Sequence, residues 1–173
     1  MKCIDTPFPE VKVFEIKTFG DARGHFFEGF SAQRYAEFGV PSVFVQDNYS
    51  VSHKGVLRGM HFQNPNAQGK LVGVLVGSVY DVAVDLRQNS KTFGKWFGIE
   101  LSQQNKLQMY VPPGFAHGFV SLEDNTMFYY KCTDFYSPTS ERSLLWNDPD
   151  IGIQWPVKEP LLSPKDAVAL SLK

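Results

Sequence analysis

The stretch "GVLRGMHFQ" (residues 55–63) sets Arg58 and His61 three apart in a run that otherwise reads as a strand. A regular strand sends residues three apart to opposite faces. Gly59 lies between them, and a glycine inside a strand marks a bulge or a close backbone approach. A bulge would bring guanidinium and imidazole to one side. In the alternative arrangement, Arg58 reaches the site of a second subunit while His61 faces its own. Imidazole titrates near neutral pH and suits a general base; an arginine fork suits an anion. Gln46 and Asn48 share one strand face, a polar pair where a core would take apolar groups. "VPPGFAHGF" (111–119) places His117 behind a tight Pro-x-Gly-x-x-His turn, which fixes where the histidine points.

These residues need a scaffold, and the sequence predicts an all-β one. Short alternating apolar runs are punctuated by Gly, Asn, Asp and Pro, the pattern of a sandwich or barrel. "VKVFEI" (11–16) reads as a strand, and "GDARG" (20–24) as a turn followed by "HFFEGF". "SVFVQDNYSVS" (42–52) alternates into "HKG", a hairpin signal. Residues 70–87 read as two strands joined near Gly77. "KWFGIELS" and "LQMYVPPG", separated by "QQN", predict another hairpin. Residues 126–136 form a late aromatic strand. Two segments read as helices. Residues 31–38 have Ser31 at the cap and Gly39 past the end; residues 163–173 have Ser at the cap, Pro at the first position and Asp three after the cap. Residues 137–160 read as a long loop over the barrel.

A chain of 173 residues fits one domain spanning 1–173 and buries a sizeable core. The net charge of −1 gives no reason to expect nucleic acid or an anionic membrane as partner. No apolar run approaches the ~20 residues of a bilayer span. "MKCIDTPFPEVK" lacks the apolar stretch of a secretory signal. Cys3 and Cys132 suggest reduced thiols in a cytoplasmic protein rather than a disulfide framework. No glycine-rich dinucleotide fingerprint is present.

The Pro-x-Gly-x-x-His spacing resembles the second motif of the cupin superfamily of β-barrels. The first cupin motif carries His-x-His followed by Glu, which completes a metal site. The corresponding place here is His61-Phe62-Gln63, with Lys70 further on, so a first-row metal would lack ligands and none is expected. Six blocks in order, "GDARGHFFE", "VQDNYSVSHKGVLRGMHFQ", "QGKLVGVLVGSVYDVAVDLR", "YVPPGFAHGFVSL", "YYKCTDFYSPTSER" and "LLWNDPDIGIQWP", resemble the dTDP-4-dehydrorhamnose 3,5-epimerase family. The resemblance runs from about Phe14 to Asp166. It implies a cupin-like β-barrel or jelly roll with short peripheral helices. It also implies a cofactor-independent isomerase acting on a dTDP-4-keto-6-deoxy sugar in dTDP-L-rhamnose synthesis.

Carried over residue by residue, the resemblance makes His61 the base and Tyr130 the acid. Lys70 is the lysine that stabilises the enolate oxygen. Asp166 orients the base. Arg23, Glu28, Gln46, Asp47, Asn48, Arg58, His117 and Lys165 fall on ligand-binding positions. Tyr136 stacks on thymine, with Glu141 nearby in the same loop. Three points stay open in the sequence. Asp166 is equally placed to cap its helix, and Asp81 is a rival orienter. Tyr129 would replace Tyr130 on a one-residue slip. Tyr136 could belong to the core. His25 and His53 read as surface or turn residues. A homodimer is expected, with the N-terminal strand or the Arg23 segment crossing the interface. Rival readings are a C3-only epimerase, a non-catalytic sugar-nucleotide-binding cupin and a metal-dependent oxygenase.

Overall fold

The computed structural model describes residues 1–172. Thirteen strands and two short helices succeed one another: β1 (Lys2–Ile4), β2 (Lys12–Glu15), β3 (Thr18–Asp21), β4 (Gly24–Phe27), α1 (Ala32–Ala36), β5 (Gln46–Ser52), β6 (Leu57–Gln63), β7 (Lys70–Val76), β8 (Ser78–Asp85), β9 (Trp96–Ser102), β10 (Leu107–Val111), β11 (Phe115–Ser121), β12 (Thr126–Cys132), β13 (Glu141–Ser143) and α2 (Pro164–Ala167). One sheet runs β1-β2-β10-β7-β12-β5 and the other β13-β6-β11-β8-β9, with β3 and β4 forming a separate hairpin. Every strand pairing is antiparallel. This is the cupin-like jelly roll, and the all-β expectation holds.

The two inner faces meet over an apolar core that includes Phe8, Val13, Val72, Leu101, Met109, Phe115, Phe119 and Phe128. Burying side chains of this size contributes about 1.5–3 kcal/mol each before the entropy of ordering is set against it. The core fills one end of the barrel. The other end is left to polar side chains, as the run Gln46, Asn48, Ser50 on alternate residues of β5 shows.

Several expectations are corrected. The turns near residues 53–55 and 103–106 do not close hairpins. β5 lies in the six-stranded sheet and β6 in the five-stranded one, and β9 and β10 are divided the same way. Each turn carries the chain across the sandwich, where the strands find apolar faces on both sides. The segment 137–160 is not a bare loop. It contributes β13 and buries Leu144, Ile151 and Ile153 against Met60, Val82 and Val84 on the outside of the five-stranded sheet. The last helix is a single turn, Pro164–Ala167, rather than 163–173. Past it, Leu170 pairs with Leu144 in extended backbone. Ser31 sits at the N-cap of α1 but its side chain makes no capping hydrogen bond.

The bulge expected at Gly59 is present. His117 pairs with His61 and Phe119 with Arg58, so two steps on β11 match three on β6. Gly59 has φ of +138°, a conformation open to glycine. A Cβ there would stand 2.5 Å from Gly118 Cα and 3.0 Å from His117 O. Gly59→Ala is therefore expected to lower stability by about 2–4 kcal/mol through strain and backbone overlap. Urea unfolding checks this, and a midpoint equal to wild type would refute the account.

Candidate active site

The open end of the barrel holds two adjoining cavities of about 550 and 300 Å³ that share His61, Lys70 and Tyr130. The larger also presents Arg58, His117, Phe119, Phe128, Lys165 and Asp166. The smaller presents Gln46, Asn48, Gln63, Cys132, Tyr136 and Glu141. His61 comes from β6 in one sheet and Tyr130 from β12 in the other, so imidazole and phenol belong to opposite walls.

Of the two candidate carboxylates, Asp166 is the one that meets His61. Its Oδ1 lies 2.6 Å from His61 Nε2. Asp166 also takes part in the cap, because its backbone N–H donates to Ser163 Oγ at 3.1 Å. The capping serine thus sets the helix end, and the carboxylate is left to turn toward the imidazole. Burial opposes ionisation of Asp166. The hydrogen bond and charge of His61 outweigh it, with help from Ser163 and the Gly59 amide, and hold the carboxyl below its ordinary range. With Nε2–H donating to Asp166, the His61 Nδ1 lone pair is left free to take a proton.

Asp81 is engaged elsewhere. Both its oxygens lie 3.0 Å from His117 Nε2, and it is fully buried. Burial raises its carboxyl above the ordinary value, against the opposing pull of His117 and Lys70. His117 stacks on Phe128 and reaches the cavity wall. Burial pushes the Lys70 ammonium down from its usual range, while Cys132, Asp81 and Glu141 favour its charge. Its Nζ stands 5.9 Å from the centroid of the Tyr130 ring. Among the described residues, no carboxylate lies within ion-pair distance of Lys70.

The tyrosine register is the expected one. Tyr130 faces the cavity, its phenol raised above the usual value by burial. Tyr129 points the other way and meets the amide of Gln108, which also donates to Gly29 O at 2.7 Å. Gln46 and Asn48 face inward and are joined at 3.0 Å. Gln46 Oε1 also accepts the Tyr136 backbone N–H at 3.0 Å. Tyr136 is 50% exposed, so it is not core. Its hydroxyl donates to Glu141 at 3.0 Å, and Lys165 Nζ meets the other oxygen of Glu141 at 2.6 Å. Arg58 reaches the cavity with Nε donating to Ser52 Oγ at 3.2 Å.

Three expected site residues are not gathered here within the single chain. Asp47 is on the outer face of β5, where it pairs with Lys131 at 2.8 Å. It alternates with Gln46 and Asn48, so the three cannot share a face. Arg23 sits at the tip of the β3–β4 hairpin, paired with Asp21 at 2.5 Å, its side chain 90% exposed. Glu28 pairs with Arg34 at 3.1 Å.

Other residues were not singled out by sequence. Phe119 and Phe128, stacked at 4.1 Å, line the larger cavity and could have been found from strand alternation. Ser163 was visible as a cap but not as part of the cavity lining. Gln63, at the position of a cupin metal ligand, is buried. It accepts the Ser137 N–H at 2.8 Å and donates to Asn66 O at 2.7 Å and Phe135 O at 3.2 Å. It pins the loop that carries Tyr136. Among the described residues, no three His, Cys, Asp or Glu side chains come together as a metal site.

A jelly-roll barrel with a carboxylate-held imidazole, a facing phenol and an unpaired ammonium around one cavity defines an acid–base enzyme of the cupin class. A dTDP-4-dehydrorhamnose 3,5-epimerase of Salmonella typhimurium is 55% identical over 172 residues, 98% of this chain and 94% of that protein. The crystal structure of a dTDP-6-deoxy-D-glucose-3,5-epimerase from Legionella pneumophila in complex with dTDP-4-keto-L-rhamnose is also similar. Its TM-score is 0.96 at 53% identity, over 99% of this chain and 92% of that one. A 3′-monoepimerase from Streptomyces bikiniensis in complex with dTDP-quinovose has a TM-score of 0.89 at 36% identity, over 94% of this chain and 84% of that one. A second crystal structure of that monoepimerase carries a histidine-to-asparagine and a tyrosine-to-phenylalanine replacement together. The chain belongs to the dTDP-4-dehydrorhamnose 3,5-epimerase family, whose description matches residues 5–173.

The Asp166 carboxyl gives the site a pH signature. Its folded value lies below the ordinary carboxylate value, so the folded state binds fewer protons there than the unfolded chain. The stabilisation is complete above about pH 4 and is lost as pH falls through the depressed folded value. Asp166→Asn is expected to flatten that part of the stability–pH curve. A mutant curve parallel to wild type on the acid side would contradict the pairing.

Proposed function

We propose that this protein epimerises C3 and C5 of dTDP-4-dehydro-6-deoxy-D-glucose, in dTDP-L-rhamnose synthesis. The observation that carries this reading is the imidazole on one wall of the cavity and the phenol on the other. The C4 ketone acidifies the hydrogens on both neighbouring carbons. His61, oriented by Asp166, removes one of them and leaves an enolate. Lys70, with no carboxylate partner, stabilises the enolate oxygen; loss of such a donor typically costs about 3–4 kcal/mol of barrier. Tyr130 returns a proton from the opposite face and inverts the centre. The steps use side-chain acids and bases throughout, and the reading assigns no cofactor.

The rest of the lining suits a nucleotide. Arg58 and Lys165 offer charge-assisted donors to a diphosphate. Gln46 and Asn48 offer amides to a base edge, and Tyr136 a half-exposed ring to stack on. Double rather than single epimerisation is supported by the similarity to 3,5-epimerases at 53–55% identity, against 36% for the monoepimerase.

We further infer one cytoplasmic domain that acts as a homodimer. Among the described residues, no helix is long and apolar enough to cross a membrane. The β3–β4 hairpin leaves Phe19 and Phe26 53% and 67% exposed beside Arg23. Such a tip fits a partner's cavity better than water, and it would bring Arg23 and Glu28 to the nucleotide end of that site.

Two experiments test this. In heavy water, NMR of the dTDP-keto sugar is expected to show deuterium entering at C3 and C5. His61→Ala is expected to lower that exchange about 10²–10⁴-fold. Tyr130→Phe is expected to keep proton abstraction while losing inverted product. Incorporation at C3 alone would make the protein a monoepimerase. Separately, Arg23→Ala and His61→Ala are each expected to be impaired, yet to recover activity when mixed under exchanging conditions. A hybrid dimer then contains one site with both residues intact, and absence of recovery would count against the shared site.

A further inference from the structure

The carboxylate that meets His61 is carried by a segment fixed to the barrel at two places, one on each side of it. On one side, Leu57 N–H donates to Leu161 O at 3.0 Å and Leu161 N–H to Gly55 O at 2.8 Å. On the other, Leu145 N–H donates to Leu170 O at 2.8 Å. Between these anchors stands α2, a single turn of four residues. One turn of helix has no stability of its own, so the anchors must decide where Asp166 stands.

The second anchor has a reinforcement that backbone pairing does not supply. Asp148 Oδ2 accepts the Leu172 N–H at 2.6 Å. Its Oδ1 accepts the N–H groups of Asp150 at 2.8 Å and Ile151 at 3.2 Å. Asp148 is only 1% exposed and lines neither active-site cavity. One buried carboxylate therefore clamps the 148–152 turn to the far end of the segment. Hydrogen bonds to a carboxylate are short and strong, and a buried one left without them would be costly. The turn it organises places Ile151 in the cluster with Met60, the neighbour of His61, and Leu172 packs against the same cluster. The clamp thus joins both partners of the His61–Asp166 contact to one frame.

We propose that Asp148 is a positioning residue for the epimerisation, holding Asp166 against His61 through the Leu172 amide. The inference rests on the acid–base reading above. Two variants test it. Asp148→Asn replaces one acceptor oxygen of the clamp by an NH2 group, and Leu172→Pro removes the Leu172 N–H while keeping Asp148 and its bonds to Asp150 and Ile151. Each is expected to lower kcat about tenfold with KM unchanged. In each, ¹³C NMR of the Asp166 carboxyl is expected to show its titration moving up toward the ordinary carboxylate range. Adding Asp148→Asn to Asp166→Asn is expected to cost nothing further. A lower melting temperature with unchanged kcat and unchanged Asp166 titration would overturn the proposal. So would a Leu172→Pro enzyme that behaves as wild type. Wild-type protein that exchanged no deuterium would instead overturn the assigned reaction, and the Asp166 titration would then decide the clamp by itself.

Discussion

The site depends on one contact between residues 105 positions apart, the bond from His61 to Asp166. Neither group stands alone. A buried carboxylate without a partner is driven to its neutral form. An imidazole without a partner is free to choose tautomer and rotamer. Together they fix each other. The barrel brings these two to 2.6 Å: the bulge at Gly59 lies beside His61, and the Ser163 cap fixes the end of the helix that carries Asp166. Both devices are local departures from regular structure, placed where the polar end of the barrel begins.

A second pair sits beside the first. His117 is directly opposite His61 on neighbouring strands, and Asp81 holds its Nε2. Two imidazoles this close would repel if both were charged. Separate carboxylates, Asp166 from α2 and Asp81 from β8, give each ring its own hydrogen-bond partner. Asp81 is fully buried, so its charge needs both His117 and the nearby Lys70. Lys70 in turn is pushed down by burial, against the opposing pull of Cys132, Asp81 and Glu141. An ammonium poised this way, without a partner of its own, gains most from an oxyanion in the cavity.

Much of this was legible in the sequence, for physical reasons that differ from residue to residue. Strand alternation put Gln46 and Asn48 on one face, since period-two patterns record which side is shared, and the family resemblance singled out Tyr130 over its neighbour Tyr129. The same rule excludes Asp47, which stands between two inward residues and pairs with Lys131 outside. Gly59 was readable because only glycine fits where the backbones of β6 and β11 touch. The turns after β5 and β9 were not readable as crossings. A turn's residues specify its local geometry and not which sheet receives the next strand; that is decided by the apolar faces, which are non-local. The short α2 was overestimated for a related reason. Residues 168–172 have helix-compatible composition, but Leu170 gains more from pairing with Leu144. Arg23 and Glu28 were read as ligand-binding by resemblance, and a single chain leaves both outside its own cavity.

Gln63 and Lys70 set this cavity apart from the metal-binding motif that the sequence resembles. In the arrangement it resembles, the position of Gln63 would hold a second histidine beside His61. Here that side chain spends its amide on three backbone groups of the loops around residues 66 and 135–137. It is thereby a structural pin for those loops. The two imidazoles that line the cavity, His61 and His117, are each engaged by a carboxylate at one nitrogen. The cavity is left with an imidazole from β6 on one wall, and a phenol from β12 and an ammonium from the neighbouring β7 on the other.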